Sequence, residues 1–307
     1  MDGSYPKGAA WGVFGMNDDI GTLNLLTEER VRRAATLVRR GAVFSLNWSL
    51  QLPDPPLFGR RALKHEVHDL TEIAHPGTDD HYDDFYPQAS SQWDSLAHIG
   101  TPDGWFYNGR KMSDILRGEN TIDAWARRGI AGRFVLVDIA GARAASGQPL
   151  ACDQRVEVGV EELEAVLAAQ GTALEIGDIL LLRFGWVGWY ESLDGTARQR
   201  MAATPRFPAP GLACEERTAA WLWDHHVAAV ASDTPPLEAW PPDLSRLDGF
   251  LHYRLIPLLG LAVGELFVLD PLAEDCARDG VYEGMFVSAP LNQPGGAGSS
   301  ANALALK

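Results

Sequence analysis

The sequence predicts a mixed α/β fold in one domain spanning residues 1–307, and three observations carry that reading. Apolar runs of strand length occur at RFVLVDIAG (133–141), GDILLLRFGW (177–186) and VAAVASD (227–233). Helical patterns at 159–170 and 211–226 lie between them, an interleaving typical of sheets covered by helices. The 307 residues are 46% hydrophobic and 22% charged, enough to bury a large core, and no linker-like stretch divides them.

Taken in chain order, TEERVRRAATLVRRG predicts the clearest helix. Thr27 is placed to cap it, Glu28 and Glu29 occupy its first turn, Val31, Ala34, Ala35 and Val38 form an apolar stripe, and Gly41 ends it. AVFSLNWSL reads as the strand that follows. Residues 53–87, rich in Pro, Asp and His without periodicity, read as a long loop or lid, since long loops within compact domains are usually functional covers. Its histidines, His65, His68, His75 and His81, lack convergent spacing and read as surface or lid residues rather than metal ligands. Arg183 and Asp233 end two of the predicted strands, where α/β folds expose reactive groups, and are candidate substrate contacts; Asp233 before TPP also suits a turn. The tail QPGGAGSSANALALK opens too rich in glycine for a helix or strand and is a candidate to line the site with backbone amides.

Composition narrows the function classes. A formal net charge of −15 repels phosphate backbones and anionic lipid, so neither nucleic acid nor membrane is an expected partner. Three widely spaced cysteines without a Cys-x-x-Cys pair argue against both a disulfide framework and a thiolate zinc site. No segment has the length and apolarity of a signal peptide or membrane span, so a cytoplasmic location is expected. The expected partners are a small-molecule substrate and further copies of the chain, as a dimer or tetramer.

The stretch QASSQWDSLAH (88–98) is polar where a core would be apolar. Gln88, Gln92 and Asp94 share one parity, so an extended chain would turn all three to one face, and His98 meets Asp94 at i,i+4 spacing if the chain turns helical after Trp93. Read alone, this fits a polar loop beside a buried tryptophan as well as a site. Further on, in LHYRLIPLLGLAVGELFVLDPL, His252 and Glu265 stand in apolar surroundings where an unpaired carboxylate is costly. An ion pair of Glu265 with Arg254 and a metal site are both open readings.

These two stretches together resemble the cyclase family of metal-dependent hydrolases, which includes bacterial kynurenine formamidase and isatin hydrolase. Its hallmark, His-x-Gly-Thr-His-x-Asp-x-Pro-x-His, aligns without gaps on QASSQWDSLAH, and its later His and Glu-x-Leu element is similar to the segment from His252 through Glu265. WGVFGMNDDIGTLNLLTEERVRRAATLVRRGAVFSL, GIAGRFVLVDIAG, GDILLLRFGW, VAAVASDTPPLE and GGAGSSAN extend the likeness to the family's longer branch along nearly the whole chain. The resemblance implies the swivelling β/β/α fold of that family, with its mixed sheet.

In the family the two leading histidines and the Asp bind metal, the Asp can bridge to a second metal held by the late His and Glu, and the last His of the motif transfers protons. Here Gln88 and Gln92 replace both leading histidines, while Asp94, His98, His252 and Glu265 match. A neutral amide oxygen is a weaker, harder ligand than imidazole, so the site is expected to favour oxygen-preferring ions such as manganese, magnesium or calcium over zinc, or to hold no ion. The implied set is one divalent ion (manganese, magnesium or zinc) on Asp94, His252 and Glu265 with help from Gln92 and Gln88, and Asp94 and His98 as catalytic residues; Trp93 and Trp105, flat apolar residues near the motif, join the strand-end Arg183 and Asp233 as the expected substrate contacts. The implied reaction is hydrolysis of an amide, lactam or lactone in a small cyclic or aromatic molecule. Two other readings stay open: a metal-independent cyclase or lyase using Asp94 and His98, and a binding protein without turnover.

Overall fold

The structure, a computed structural model, describes residues 6–71, 73 and 75–307. Its strands run in chain order as β1 (Val43–Ser45), β2 (Lys64–Asp69), β3 (Thr78–Asp83), β4 (Gln92–Asp94), β5 (Ile130–Asp138), β6 (Glu157–Val158), β7 (Ile179–Arg183), β8 (Gly211–Leu212), β9 (Ala229–Ser232), β10 (Ala262–Glu265), β11 (Glu283–Ser288), β12 (Gly298–Ser300) and β13 (Ala303–Leu306). Nine of them form one sheet in the order β1-β13-β11-β5-β7-β9-β10-β4-β12. The neighbours β5, β7, β9 and β10 are parallel, and antiparallel strands complete the sheet on both sides, which makes it the mixed α/β domain expected. The parallel strands are Val-, Ile-, Leu- and Ala-rich because helices cover them, and the Leu180–Leu182 and Val135–Val137 side chains are fully buried.

Several elements differ from the sequence expectation for local reasons. The first helix runs only Glu28–Ala35, capped by Thr27 as expected; the Thr36 hydroxyl donates to the Arg33 carbonyl at 2.7 Å and turns the chain out early. The strand expected over 42–50 pairs only at Val43–Ser45, because the Asn47 amide takes both the Ala303 carbonyl and the Ala303 N–H, each at 2.9 Å. The helix expected over 211–226 begins at Glu216, and Gly211–Leu212 pairs instead as β8 with β6. The 53–87 segment contains a hairpin, β2 with β3, whose two faces are almost wholly exposed, so no alternation of apolar residues announces it. The glycine-rich tail is likewise sheet: β12 closes on β4 so tightly that a Cβ on Gly298 would lie 2.6 Å from the Trp93 carbonyl oxygen.

Trp93 anchors this edge. Its ring is enclosed by Trp125, Phe267 and Phe286 at centroid distances of 6.5, 5.3 and 6.0 Å, all near edge-to-face, and its indole N–H donates to the Ser288 hydroxyl at 3.0 Å. Opposite it on β10 stands Gly264, where a Cβ would come within 2.8 Å of the Ala231 Cβ. Trp93 is therefore a core residue that braces β4, away from any substrate surface. Trp93→Ala should destabilise the fold by about 3–5 kcal/mol, measured by denaturant unfolding, whereas Trp93→Phe should cost distinctly less.

Candidate active site

The antiparallel pairing of β4 with β10 builds the site. Register places Gln92 opposite Glu265 and Trp93 opposite Gly264, so Gln92, Asp94 and Glu265 share the face opposite the core tryptophan. The Gln92 side-chain N–H donates to Glu265 Oε2 at 2.5 Å, and the Leu237 backbone N–H donates to Glu265 Oε1 at 3.1 Å. The other Gln92 amide atom, Oε1, and both Asp94 oxygens are buried without a hydrogen-bond donor.

His252 begins a short helix, His252–Leu255, and reaches the same point. Its Nδ1 lies 2.7 Å and 2.9 Å from the two oxygens of the fully buried Glu238, so Nδ1 carries the shared proton and Nε2 is turned inward. Nε2 stands 3.1 Å from Glu265 Oε1 and 3.7 Å from Asp94 Oδ2. His98 sits at the rim, one quarter exposed, with Nε2 3.6 Å from Asp94 Oδ1. A turn in which the His98 N–H donates to the Ser95 carbonyl at 3.0 Å brings it back toward Asp94.

The charges follow from burial and neighbours. Burial works to raise Asp94, but His98, His252 and Arg60 hold it below its ordinary value, so it is the ionised member. Burial pushes Glu265 up to about 7, reinforced by the adjacent Asp94 charge and opposed by His252. Burial works to lower His252, and Glu238, Asp94 and Glu265 overcome it, so without an ion the imidazole holds its proton well above the ordinary range. Burial holds His98 below its ordinary value, against the pull of Asp94.

Other residues singled out from sequence lie elsewhere. Gln88 falls in a 3-10 turn, Pro87–Ala89, which breaks the parity that would have aligned it with Gln92; its amide nitrogen packs on Gly298, and no hydrogen bond joins it to Asp94 or Glu265 among the described residues. Arg183 pairs with Asp138 at 2.7 Å and Asp270 at 2.6 Å, tying strand to helix. Asp233 accepts the backbone N–H groups of Phe184, Gly185 and Trp186 at 2.7, 2.7 and 3.1 Å, organising the turn after β7 from a fully buried position. Trp105 lies under Lys111, whose ammonium is 3.1 Å from its ring centroid, and beside Trp11. Arg183, Asp233 and Trp105 thus have structural partners in place of the substrate contacts expected. Arg254 pairs with Asp248 and with Glu216, so it is not the partner of Glu265.

Sequence reasoning missed Glu238, Arg60 and an aromatic wall. The Phe250 ring stacks on His252 at 4.7 Å and faces Trp240 at 6.4 Å, which meets Phe58 at 5.4 Å. A buried acid in the apolar run TPPLEAW was the available signal for Glu238. A second group able to hold a cation, Glu66, His68 and His81, stands on the exposed β2–β3 hairpin.

Comparison with known proteins places this geometry. The cyclase family model, described as "Putative cyclase", matches residues 50–239. The chain belongs to the cyclase family. The match takes in Gln88–His98 and Glu238 and stops short of His252 and Glu265. The crystal structure of a novel cyclase superposes with a TM-score of 0.86 at 30% identity, covering 97% of this chain and 99% of that one. Isatin hydrolase A from Labrenzia aggregata, bound to benzyl benzoate, superposes at 0.62 with 18% identity, covering 93% and 98%. Isatin hydrolase A from Ralstonia solanacearum gives 0.62 and 18%, covering 91% and 97%. At that identity the two hydrolases share the fold. No curated protein sequence matches the chain.

For a cyclase with both leading histidines replaced, the donors still fit one divalent ion. Ligand atoms of Asp94, His252 and Glu265 all lie within 4.8 Å of one another, close to the separation of about 4.4 Å that ligands at opposite sides of one ion would have. The buried, donorless oxygens of Asp94 and Gln92 are what a cation would satisfy, and Glu238 on Nδ1 holds His252 as metal-ligating histidines are held. Glu238→Gln should weaken manganese binding by about 10- to 100-fold, measured by titration calorimetry. Binding should tighten as pH rises through about 7, because Glu265 and His252 must give up the protons that they hold in the metal-free protein; calorimetry in buffers of different ionisation heat should show proton release.

Proposed function

We propose that this cyclase is a metal-dependent hydrolase of an amide, lactam or lactone bond in a small, flat substrate. The observation that carries the reading is the set of three buried acceptor oxygens without donors, on Asp94 and Gln92, gathered beside His252 Nε2 and Glu265. Asp94, His252 and Glu265 would hold one ion, assisted by the Gln92 Oε1 oxygen. When bound, such an ion supplies an acidified water and electrophilic pull on a carbonyl oxygen. The oxygen-rich donor set suits manganese or magnesium better than zinc.

His98 is the group for proton transfer. It stands at the rim, 3.6 Å from Asp94, and its lowered pKa keeps it neutral and able to take a proton near pH 7 before delivering it to a leaving nitrogen or oxygen. Asp94, ionised beside it, favours the imidazolium that His98 becomes on taking that proton. Phe250 and Trp240 provide the flat apolar surface next to His252 against which a ring would lie. The isatin hydrolases sharing this fold support the choice of a hydrolase by their names.

One observation favours a second reading, acid-base chemistry without metal: a protonated His252 can itself bridge Glu238 and Glu265, at 2.7 and 3.1 Å, and set its charge 3.7 Å from Asp94. Chelation separates the two. With a panel of aryl formamides and lactams, turnover should disappear after treatment with a chelator and return with manganese; turnover that survives in metal-free protein overturns the metal dependence and favours the second reading. His98→Ala should lower kcat by about 10²- to 10⁴-fold with metal content unchanged, and Asp94→Ala should lower both, as read by steady-state kinetics alongside elemental analysis.

A further inference from the structure

Arg60 sits in the segment that precedes the hairpin and differs from its neighbours in having no partner. Arg61 pairs with Asp84 at 2.7 Å and Lys64 with the same carboxylate at 3.1 Å. Around the half-buried Arg60 guanidinium no acidic oxygen lies within 4.0 Å, and no carbonyl or side chain accepts from it, among the described residues. The guanidinium carbon lies over the Phe58 ring, 5.3 Å from its centroid. Phe58 in turn adopts a left-handed backbone, φ 59°, a conformation that costs a side-chain-bearing residue about 1–2 kcal/mol. Packing against Phe207 and Trp240, both at 5.4 Å, holds it there. The strained turn thereby presents Arg60 along the same aromatic wall that ends on His252.

The charge is felt inside the site: Arg60 acts on Asp94, His98 and Glu265, although it lies beyond ion-pair distance of either carboxylate. A guanidinium keeps its charge under partial burial, and its planar fork of N–H donors matches a carboxylate in two parallel hydrogen bonds. A run of rings, Phe58, Trp240 and Phe250, each in contact with the next, leads from that fork to His252. The chain carries a formal net charge of −15, so an anionic molecule would be repelled unless a local cation drew it in.

We infer that Arg60 is a specificity-determining residue that binds a carboxylate on the substrate, so that the natural substrate is an aromatic or cyclic amide or ester bearing an anionic group at the end opposite the scissile carbonyl. This rests on the hydrolase reading for the scissile bond alone; the recognition of the anion is a binding property that stands without turnover. The test uses the full chain with manganese and two probes, 3-formamidobenzoate and its neutral counterpart formanilide, with both binding by calorimetry and kcat/KM measured. The expected result is that the wild type favours the carboxylate by at least about tenfold in affinity, that Arg60→Ala removes the preference, and that Arg60→Lys restores part of it. Equal binding of the two probes, no binding of the carboxylate to the wild type, or a preference that persists in Arg60→Ala overturns the proposal. Persistence would leave Arg60 as a counter-charge for Asp94 and Glu265 only. A carboxylate preference in binding with neither probe hydrolysed would instead count against the hydrolase reading and leave this proposal supported.

Discussion

Everything at the centre of this protein is arranged around three carboxylates, Asp94, Glu238 and Glu265, taken out of water around a single imidazole. Each buried carboxylate costs several kcal/mol unless it meets a cation or donors. Glu238 meets His252 Nδ1, and Glu265 meets Gln92, the Leu237 N–H and His252 Nε2. Asp94 meets none at hydrogen-bond distance. That inequality makes the cluster a place built for a positive charge that the protein side chains only partly supply.

The fold holds the cluster rigidly. Glu265 comes from a strand continuous with the parallel core, whereas Asp94 and Gln92 come from a three-residue strand that would have little hold of its own. The short strand is secured by β10 on one side, β12 on the other and the Trp93 ring underneath. Ser91 adds a further tie, donating to the Leu266 carbonyl at 2.5 Å and accepting from the Trp48 N–H at 2.7 Å. A separate apolar cluster of Trp48, Leu57, Trp186, Tyr190 and Phe207 packs beneath the segment that presents Phe58 and Arg60. The glutamine at position 92 has become part of the scaffold as well as a donor of ligand oxygen, since its N–H bridges β4 to Glu265.

What could be read from the sequence follows from which signals are local. The apolar runs that became β5, β7 and β9 were legible because strands buried on both faces need no partner to announce themselves. The convergence of Asp94, His252 and Glu265, far apart in the chain, came from the family resemblance and not from spacing. The β2–β3 hairpin was hidden because both its faces are solvated, and β12 because its glycines serve close approach to β4. An extended chain would align Gln88 with Gln92, and the turn at Pro87–Ala89 breaks that alignment. Arg183 and Asp233 were expected at the site by their place at strand ends, and the structure shows each already engaged, one by two carboxylates and the other by three backbone N–H groups. Glu238 leaves one local trace, an acid inside the apolar run TPPLEAW, whereas Arg60 is recognised only in the folded chain, by the partner that it lacks among the described residues.

The most direct measurement is an anomalous difference map from crystals of the protein grown with manganese. One peak per chain, coordinated by Asp94, His252 and Glu265 with the Gln92 amide oxygen at or near the coordination sphere, is the predicted result. Two fully occupied peaks in the pocket, or no peak there with His252 still bridging Glu238 and Glu265, would contradict the single-ion account.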